Sequence, residues 1–288
     1  MKIFIIRKIY NFYSLLRIYY LKRFIFLDTY IFNFLVKAAD YILSERVRNV
    51  DPLYKFMYSQ FFANTNISVD TKKPVAFDSS DHIKPRGTLR DNSSNYSFNL
   101  KAYQFFNYKK ISVLDLGCSG GAMVKSFIDD GHFAVGIEGS DISKKYGLGE
   151  WATIPKHLHT ADLTENFTIL LNKKKKKFNL ITMWEVLEHI PKKNLENLLS
   201  NIYNHLEDGG VFIGSIDFRP DGDVISKHKY HLTLESRSWW ENLFLDNGFE
   251  LISNHNFLTS DFVRGNGLTL KDWDPKYNQG MHVVASKK

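Results

Sequence analysis

The chain has 288 residues, of which 44% are hydrophobic and 15% aromatic, and its formal net charge is +7 at pH 7. This composition is sufficient for a large hydrophobic core, so it excludes a chain that is disordered as a whole. Cys118 is the only cysteine. An intramolecular disulfide is therefore excluded, and the sequence is consistent with a reducing compartment.

Residues 1–65 are predicted to form a helical extension rich in basic and aromatic residues. The first 27 residues contain six basic side chains and no acidic one. Charges interrupt every window of about 18–20 residues, which excludes a membrane-spanning helix, and the uncharged run 9–16 is too short for a signal peptide. Polar residues recur at helical spacing and leave a wide apolar face. Two alternatives follow for residues 1–50: peripheral contact with an anionic membrane surface, or packing onto the rest of the protein or a second subunit.

The segment 66–110 is predicted to connect this extension to the domain that follows. Its first part, 66–80, has the composition of a polar linker. The next part, 81–98, is too polar for a core element, but its turn-forming residues predict ordered structure.

From residue 111 onward, strand and helix patterns alternate, which predicts an α/β domain over 111–288 with a mainly parallel sheet. We expect seven strands, near 111–116, 133–138, 156–160, 178–183, 210–217, 249–256 and 280–286. The run of five lysines at 173–177 is predicted to be a solvated loop tip, and a nucleic-acid partner is not favoured.

The most informative motif is Val113-Leu-Asp-Leu-Gly-Cys-Ser-Gly-Gly121. An apolar strand ends at Asp115 and passes directly into a glycine turn, whose N–H groups are expected to face a ligand. The spacing does not fit the dinucleotide fingerprint G-x-G-x-x-G. It resembles motif I of the class I S-adenosylmethionine (SAM)-dependent methyltransferases. That family implies a Rossmann-like sheet of seven mainly parallel strands with an antiparallel last strand.

Further residues follow in the order that the resemblance implies. Glu138 ends the second predicted strand, 23 residues after Asp115, which is close to the offset at which an acid meets a ribose in doubly wound folds. In the family it binds both ribose hydroxyls. Asp162 and Leu163 would flank the adenine. The cofactor-binding residues implied by the resemblance are Asp115, Gly117, Ser119, Gly121, Glu138, Asp162, Leu163 and Trp184.

Three of these assignments carry a qualification or an alternative. Ser119 stands where many members of the family have the central glycine. Trp184, which ends the fourth predicted strand, could stack near the cofactor or serve only in the core. Asp162 could equally be a turn residue.

The segment 87–95 lies where relatives place a lid over the cofactor, and Asn92 and Asn95 could close on the ligand or cap a helix.

The sequence Glu185-Val-Leu-Glu-His189 suggests how an acceptor could be activated. Residues at i, i+3 and i+4 of a helical turn share one side, and two carboxylates with an imidazole can hold a divalent ion. The pattern is similar to the metal site of ubiquinone-pathway and small-RNA 2′-O-methyltransferases. From the residues alone, either His228 or His231, in the loop after the fifth predicted strand, could add a further ligand. By the resemblance, Mg²⁺ or another divalent metal would be held by Glu185, Glu188, His189 and His231.

An alternative dispenses with the metal. His231 could act as a base on its own, Glu188 could cap a helix, and His189 could bond to the backbone. The candidate catalytic residues are His231 and His189.

The sequence thus predicts a SAM-dependent methyltransferase that acts on an oxygen of a small molecule or glycan. A cytoplasmic location is expected, with peripheral contact at the inner face of a membrane as a further alternative. A nicotinamide-dependent oxidoreductase is disfavoured by the position of Asp115. A non-catalytic binding module is disfavoured because a scaffold needs neither the glycine turn nor the two acids.

Overall fold

The structure is a computed structural model that describes residues 65–223, 227–262 and 279–288. All of these residues fall in one compact unit. The predicted helical extension lies outside the described residues except for its last residue. Among the described residues, no helix is both long and apolar enough to cross a membrane.

The strands and helices alternate along the chain, as the sequence predicts. The strands, in chain order, are β1 (Ile67–Thr71), β2 (Ser112–Leu116), β3 (Phe133–Glu138), β4 (Leu158–Thr160), β5 (Phe167–Leu171), β6 (Lys174–Lys175), β7 (Phe178–Trp184), β8 (Leu206–Asp217), β9 (Gly222–Asp223), β10 (His228–Lys229), β11 (Phe249–Leu251) and β12 (Gly280–Lys287). The helices are α1 (Ser80–Ile83), α2 (Arg86–Arg90), α3 (Tyr96–Phe105), α4 (Ala122–Asp129), α5 (Ile142–Tyr146), α6 (Leu195–His205) and α7 (Arg237–Asp246).

The main sheet has seven strands in the order β11-β12-β8-β7-β2-β3-β4. Strands β7, β2, β3, β4 and β8 pair in parallel, whereas β12 is antiparallel to both of its neighbours. This confirms the predicted Rossmann-like sheet with an antiparallel last strand.

Helices cover both faces of the main sheet. The buried side chains of α3 and α4 pack with one set of strand residues, and those of α6 and α7 pack with the other. Helix α6 shows why: its buried leucines, Leu195, Leu198 and Leu199, together with Ile202, recur at i, i+3, i+4 and i+7, which gives one apolar stripe.

A second, three-stranded sheet, in the order β1-β5-β6, was not expected. Strand β1 lies in the segment predicted as a polar linker and pairs antiparallel with β5. The lysine run forms β6 and the turn before it rather than only a loop tip. Lys176 is half-buried, with its Nζ 5.6 Å from the centre of the Phe178 ring. The prediction of a fully solvated run was therefore wrong for this lysine.

Two predicted strands are shorter than expected. The strand predicted over 156–160 begins at Leu158. The strand predicted over 249–256 ends at Leu251, because the chain then leaves the sheet and brings Phe257 and Phe262 into the core beside α3.

Candidate active site

The candidate active site lies at the carboxyl ends of β2, β3, β7 and β8. In open α/β sheets, ligands bind where the strand order reverses, and here the chain runs from β2 outward to β3 and later returns to β7 on the other side. The glycine turn follows β2, Glu138 ends β3 and Trp184 ends β7. The fold therefore brings the predicted cofactor residues to one edge.

The glycine turn needs residues without side chains at defined positions. Gly117 has φ +75°, and a Cβ there would lie 2.4 Å from Cγ2 of Val186. Ser119 adopts φ 48°, the left-handed region that favours glycine. Its position thus matches the central glycine of the motif in conformation as well as in sequence.

We expected the N–H groups of the glycine turn to face a ligand, but in the structure they form hydrogen bonds within the protein. Gly117 and Cys118 both donate to the carbonyl of Ile137 (2.8 and 3.1 Å), and Gly121 donates to the carbonyl of Cys118 (2.9 Å). The remaining two donors are Ser119, which bonds to Glu138 Oε2 at 2.8 Å, and Gly120, which bonds to the carbonyl of Asp91 at 3.0 Å. All five N–H groups therefore act within the protein, and the turn offers a ligand close access rather than amide donors.

Glu138 is buried and oriented by two backbone donors. Oε2 accepts from Ser119 N at 2.8 Å and Oε1 accepts from Ser140 N at 3.1 Å. A carboxylate can accept about four hydrogen bonds. Two backbone donors can therefore fix Glu138 and still allow ribose hydroxyls to bind.

Asp115, beneath the turn, is completely buried. Thr182 Oγ1, on the neighbouring strand β7, donates to Asp115 Oδ1 at 2.7 Å. This bond fixes the carboxylate between two parallel strands, so Asp115 is built into the sheet rather than exposed at its edge.

The predicted adenine residues lie just after β4. Asp162 is half-buried, and its Oδ1 accepts from the backbone N (3.0 Å) and the hydroxyl (2.7 Å) of Thr164. Leu163 is buried. Asp162 thus has the turn contacts that were the alternative interpretation, and its role toward adenine stays a prediction.

Trp184 lies in an aromatic cluster. Its ring meets Phe98 edge-on at 4.8 Å and Phe262 at 6.5 Å. Only 3% of the residue is exposed, and its indole nitrogen is buried with no hydrogen-bond partner among the described residues. The core role is thus present in the structure; the cofactor role stays a prediction.

Three of the four predicted metal ligands come together. Glu188, His189 and His231 each bring one ligand atom within 4.8 Å of the others. Glu188 and His189 belong to a short 3₁₀ turn after β7, and His231 follows β10. The carbonyl of Glu188 accepts from Leu232 N at 2.7 Å, which fixes the later loop against the turn.

Each member of this cluster has one polar atom held by the surrounding protein. Asp217 N donates to Glu188 Oε1 at 3.0 Å. His189 Nδ1 donates to Asp81 Oδ2 at 2.7 Å, and His231 Nδ1 donates to the carbonyl of Arg219 at 2.5 Å. The atoms left for a ligand are Nε2 of each imidazole and Glu188 Oε2, which is buried with no partner among the described residues.

Burial and neighbouring charges shift the pKa values of the cluster. Burial raises the pKa of Glu188 to about 8. Burial alone would lower the pKa of His189, but its hydrogen bond to Asp81, the Asp81 charge and Glu188 raise it to about 9. Burial, together with nearby His189, lowers the pKa of His231 from its ordinary value of 6.5. His231 is therefore the member suited to accept a proton near neutral pH.

Glu185 is not in this group of three. Its backbone has φ 53°, and its side chain is exposed. The i, i+3, i+4 argument assumed a regular helical turn, whereas the chain here passes through a left-handed residue into a 3₁₀ turn. The role of Glu185 as a metal ligand stays a prediction without the helical geometry that suggested it.

Sequence reasoning missed the residues that hold the cluster: Asp81, Asp217 and Arg219. Asp81 lies 108 residues before His189, so no local spacing could have indicated it.

Of the two lid candidates, Asn95 caps α3 by accepting from Phe98 N at 3.1 Å, which was the alternative interpretation. Asn92 Nδ2 donates to Glu150 Oε1 at 3.3 Å.

Comparison with known proteins identifies the class of this domain. A family model described as a methyltransferase domain matches residues 88–257, more than half of the chain. The protein therefore belongs to the class I SAM-dependent methyltransferases. The predicted enzyme class and methyl donor are confirmed.

Several solved structures are similar in fold. A TehB-like SAM-dependent methyltransferase from Corynebacterium glutamicum is 16% identical, with 83% of this chain and 100% of that chain covered and a TM-score of 0.47. The glycopeptide N-methyltransferase MtfA complexed with SAM is 14% identical (68% and 95% covered, TM-score 0.45). The PH0226 protein from Pyrococcus horikoshii is 15% identical (67% and 89% covered, TM-score 0.46). No curated protein matches the chain.

Proposed function

We propose that the enzyme transfers the methyl group of SAM to an oxygen of a small molecule or glycan, and that Glu188, His189 and His231 receive the acceptor. The observation that carries this proposal is the convergence of their three ligand atoms within 4.8 Å of one another. A hydroxyl acceptor must lose a proton during transfer, so it needs a base or a cation beside it. The cluster supplies groups suited to either task.

The reaction is an in-line displacement. The acceptor oxygen forms a bond to the methyl carbon as the carbon–sulfur bond breaks, and the electron pair of that bond goes to sulfur. Glu138 and the glycine turn hold the donor, and orientation of the two reactants can contribute up to about 7–11 kcal/mol.

His231 is the residue suited to take the acceptor proton. Its Nδ1–H is committed to the Arg219 carbonyl, so the lone pair is on Nε2, and its lowered pKa keeps the ring neutral near pH 7. A positioned base contributes about 10²–10⁴-fold to the rate.

The donor set also fits a divalent cation. Two imidazoles and one carboxylate suit Zn²⁺ or another divalent transition ion better than Mg²⁺, which prefers oxygen ligands. Glu188 Oε2, buried without a partner among the described residues, supports this fit because an unsatisfied buried oxygen is costly. Such an ion would supply Lewis acidity toward the acceptor hydroxyl.

The first experiment uses SAM carrying a ¹³C-labelled methyl group and a panel of phenols, sugars and amines. We expect transfer to a hydroxyl, which the ¹³C shift of the product methyl distinguishes from transfer to nitrogen. Transfer only to nitrogen would contradict the proposed acceptor atom while leaving the methyltransferase assignment intact.

His228 provides a matched control for His231. Its Nε2 donates to the carbonyl of Ser80 at 3.0 Å, and it does not belong to the cluster. His231→Ala should bind S-adenosylhomocysteine (SAH) like the wild type and lose turnover by at least about 10²-fold, whereas His228→Ala should retain most of it. Equal losses in the two variants would remove His231 from the proposed role.

A separate titration tests the cation. Calorimetry of the chelator-treated protein with Zn²⁺ or Mn²⁺ should give a one-to-one isotherm that Glu188→Gln weakens strongly. No binding by the folded wild type would leave His231 as a base without metal.

Membrane contact through residues 1–50 lies outside the described residues and is likewise proposed. Co-sedimentation with vesicles containing anionic lipid, compared with a chain that begins at residue 51, tests it. Equal binding by the two chains would count against this contact.

A further inference from the structure

The segment 76–92, here called the strap, crosses the cofactor edge of the domain. Ala76 N donates to the carbonyl of Gly139 at 2.8 Å, beside Glu138. At its other end, the carbonyl of Asp91 accepts from Ser119 Oγ at 2.8 Å and from Gly120 N at 3.0 Å. The strap is thus bonded to both the ribose side and the glycine turn.

The approach of the strap to the turn is close. A Cβ on Gly120 would lie 2.6 Å from Asn92 Oδ1 and 2.7 Å from the carbonyl of Asp91. The hydroxyl of Ser143, in α5, also donates to a strap carbonyl, that of Thr88, at 3.1 Å. Position 120 therefore requires glycine, because any side chain there would clash with the strap.

Between these two anchor points, the side chain of Asp81 reaches the acceptor cluster. Asp81, in α1, accepts from His189 Nδ1 at 2.7 Å, and the side chains are only 27% and 18% exposed. Because a carboxylate can only accept from this nitrogen, the proton on Nδ1 is assigned and Nε2 is the ring nitrogen that this bond does not use. A carboxylate behind a histidine commonly fixes both the tautomer and the orientation of the ring.

We propose that Asp81 is a positioning residue for His189. It holds the ring so that Nε2, rather than Nδ1, belongs to the cluster. The inference rests on the proposed function only in taking the cluster as the acceptor site. The hydrogen bond and its effect on the ring can be tested without an acceptor.

His82, the next residue of the same helix, provides a matched control. Its Nδ1 lies 3.2 Å from Ser140 Oγ, and its ring meets Phe77 edge-on at 5.1 Å. His82→Ala therefore disturbs α1 and the strap without removing the bond to His189. Asp81→Leu removes the acceptor for that bond, and Asp81→Asn retains an oxygen that can accept it.

The experiment records long-range ¹H–¹⁵N spectra of the full chain labelled with ¹⁵N-histidine, with His189→Gln to assign the signals. We expect an exchange-protected proton on His189 Nδ1 in the wild type and in His82→Ala. Asp81→Leu should lose it, and Asp81→Asn should restore it. An unchanged signal in Asp81→Leu, or its loss in both Asp81→Leu and His82→Ala, would overturn the proposal.

SAH titrations of the same samples separate positioning from misfolding. Asp81→Leu should bind SAH within about threefold of the wild type, whereas Zn²⁺ affinity should fall by about 10–100-fold, as is usual when a residue behind a ligand is removed. A wild type that binds no Zn²⁺ contradicts the cation alone, and the proton signal still decides the role of Asp81. Loss of SAH binding in Asp81→Leu would show a structural role for Asp81 and overturn the proposal.

Discussion

Two parts of the active-site edge are built in opposite ways: the proposed cofactor half, made up of the glycine turn 117–121 and Glu138, and the proposed acceptor half, made up of Glu188, His189 and His231. In the cofactor half, all five amides of the glycine turn donate within the protein, and both oxygens of Glu138 accept backbone donors. In the acceptor half, Glu188, His189 and His231 each have one polar atom held and one left for a ligand.

This difference indicates that the cofactor half contributes mainly by its geometry and the acceptor half mainly by its reactive groups. The cofactor half is held by hydrogen bonds within the protein, so we expect it to contribute by geometry. The acceptor half has shifted pKa values and a buried carboxyl oxygen without a partner among the described residues, features that are common where chemistry occurs.

The largest expected effect comes from overpacking the contact between Gly117, in the glycine turn, and Val186, beside the acceptor half. Gly117→Ala places a Cβ 2.4 Å from Val186, just before the turn that carries Glu188 and His189. Left-handed strain of about 1–2 kcal/mol and overpacking of about 1–3 kcal/mol should together lower the free energy of unfolding by about 2–5 kcal/mol. Chemical denaturation measures the loss.

Gly131→Ala is the control for this variant. Gly131 has φ +88°, and a Cβ there would meet no described residue within 4 Å apart from its chain neighbours. The free energy of unfolding of this variant should therefore fall only by the cost of the left-handed strain, about 1–2 kcal/mol. Equal losses for the two variants would mean that the halves are not in rigid contact.

The next variant tests whether the cofactor half binds the cofactor through Glu138. Glu138→Gln replaces one acceptor with an amide donor that faces a backbone N–H, so SAH affinity should fall by about 1.5–3 kcal/mol, the range for a hydrogen bond to a charged group. Calorimetry measures it. Asp208→Asn, at a side chain 96% exposed, should leave SAH affinity unchanged, and a similar loss there would indicate a general charge effect.

Part of the acid sensitivity of the fold should come from outside both halves, and His205 in α6 is the test. Its Nδ1 donates to the Asn201 carbonyl at 2.7 Å, its Nε2 accepts from Ile169 N at 3.3 Å, and burial lowers its pKa. As pH falls through 6.5, the unfolded chain takes up a proton that the folded chain excludes, so stability is lost by up to about 1.4 kcal/mol per pH unit.

His205→Gln keeps an acceptor for Ile169 and removes this titration. The free energy of unfolding should therefore fall less steeply between pH 6.5 and 5 in the variant than in the wild type. Equal slopes for the two proteins would assign the acid sensitivity to other groups.

The same contrast explains how much of the molecule the sequence predicts. The cofactor half comes from a short stretch, 115–140, in which strand, glycine turn and terminal acid are neighbours, so its motif was readable. The main sheet was predicted for the same reason, whereas β1 and β5 were missed because their pairing joins residues about 100 positions apart. The surroundings of the cluster were missed, since Asp81 lies in the segment 81–98, for which the sequence predicts ordered structure but not a contact with His189, 108 residues further on.

The smallest expected effect concerns Ser119, where backbone strain and a side-chain bond oppose each other. The left-handed φ of 48° costs a residue other than glycine about 1–2 kcal/mol. The hydroxyl bond to the Asp91 carbonyl contributes about 0.5–1.5 kcal/mol. Ser119→Gly relieves the first and loses the second, so its free energy of unfolding should lie between about 0.5 kcal/mol below and about 1.5 kcal/mol above that of the wild type. Ser119→Ala keeps the strain and loses the bond, so it should be the less stable variant in the same denaturation series. If Ser119→Gly were instead as unstable as Ser119→Ala, the glycine would relieve no strain, and the left-handed φ would cost serine nothing at this position. The glycine that relatives carry at this position would then be unfavourable in a chain that anchors its strap here.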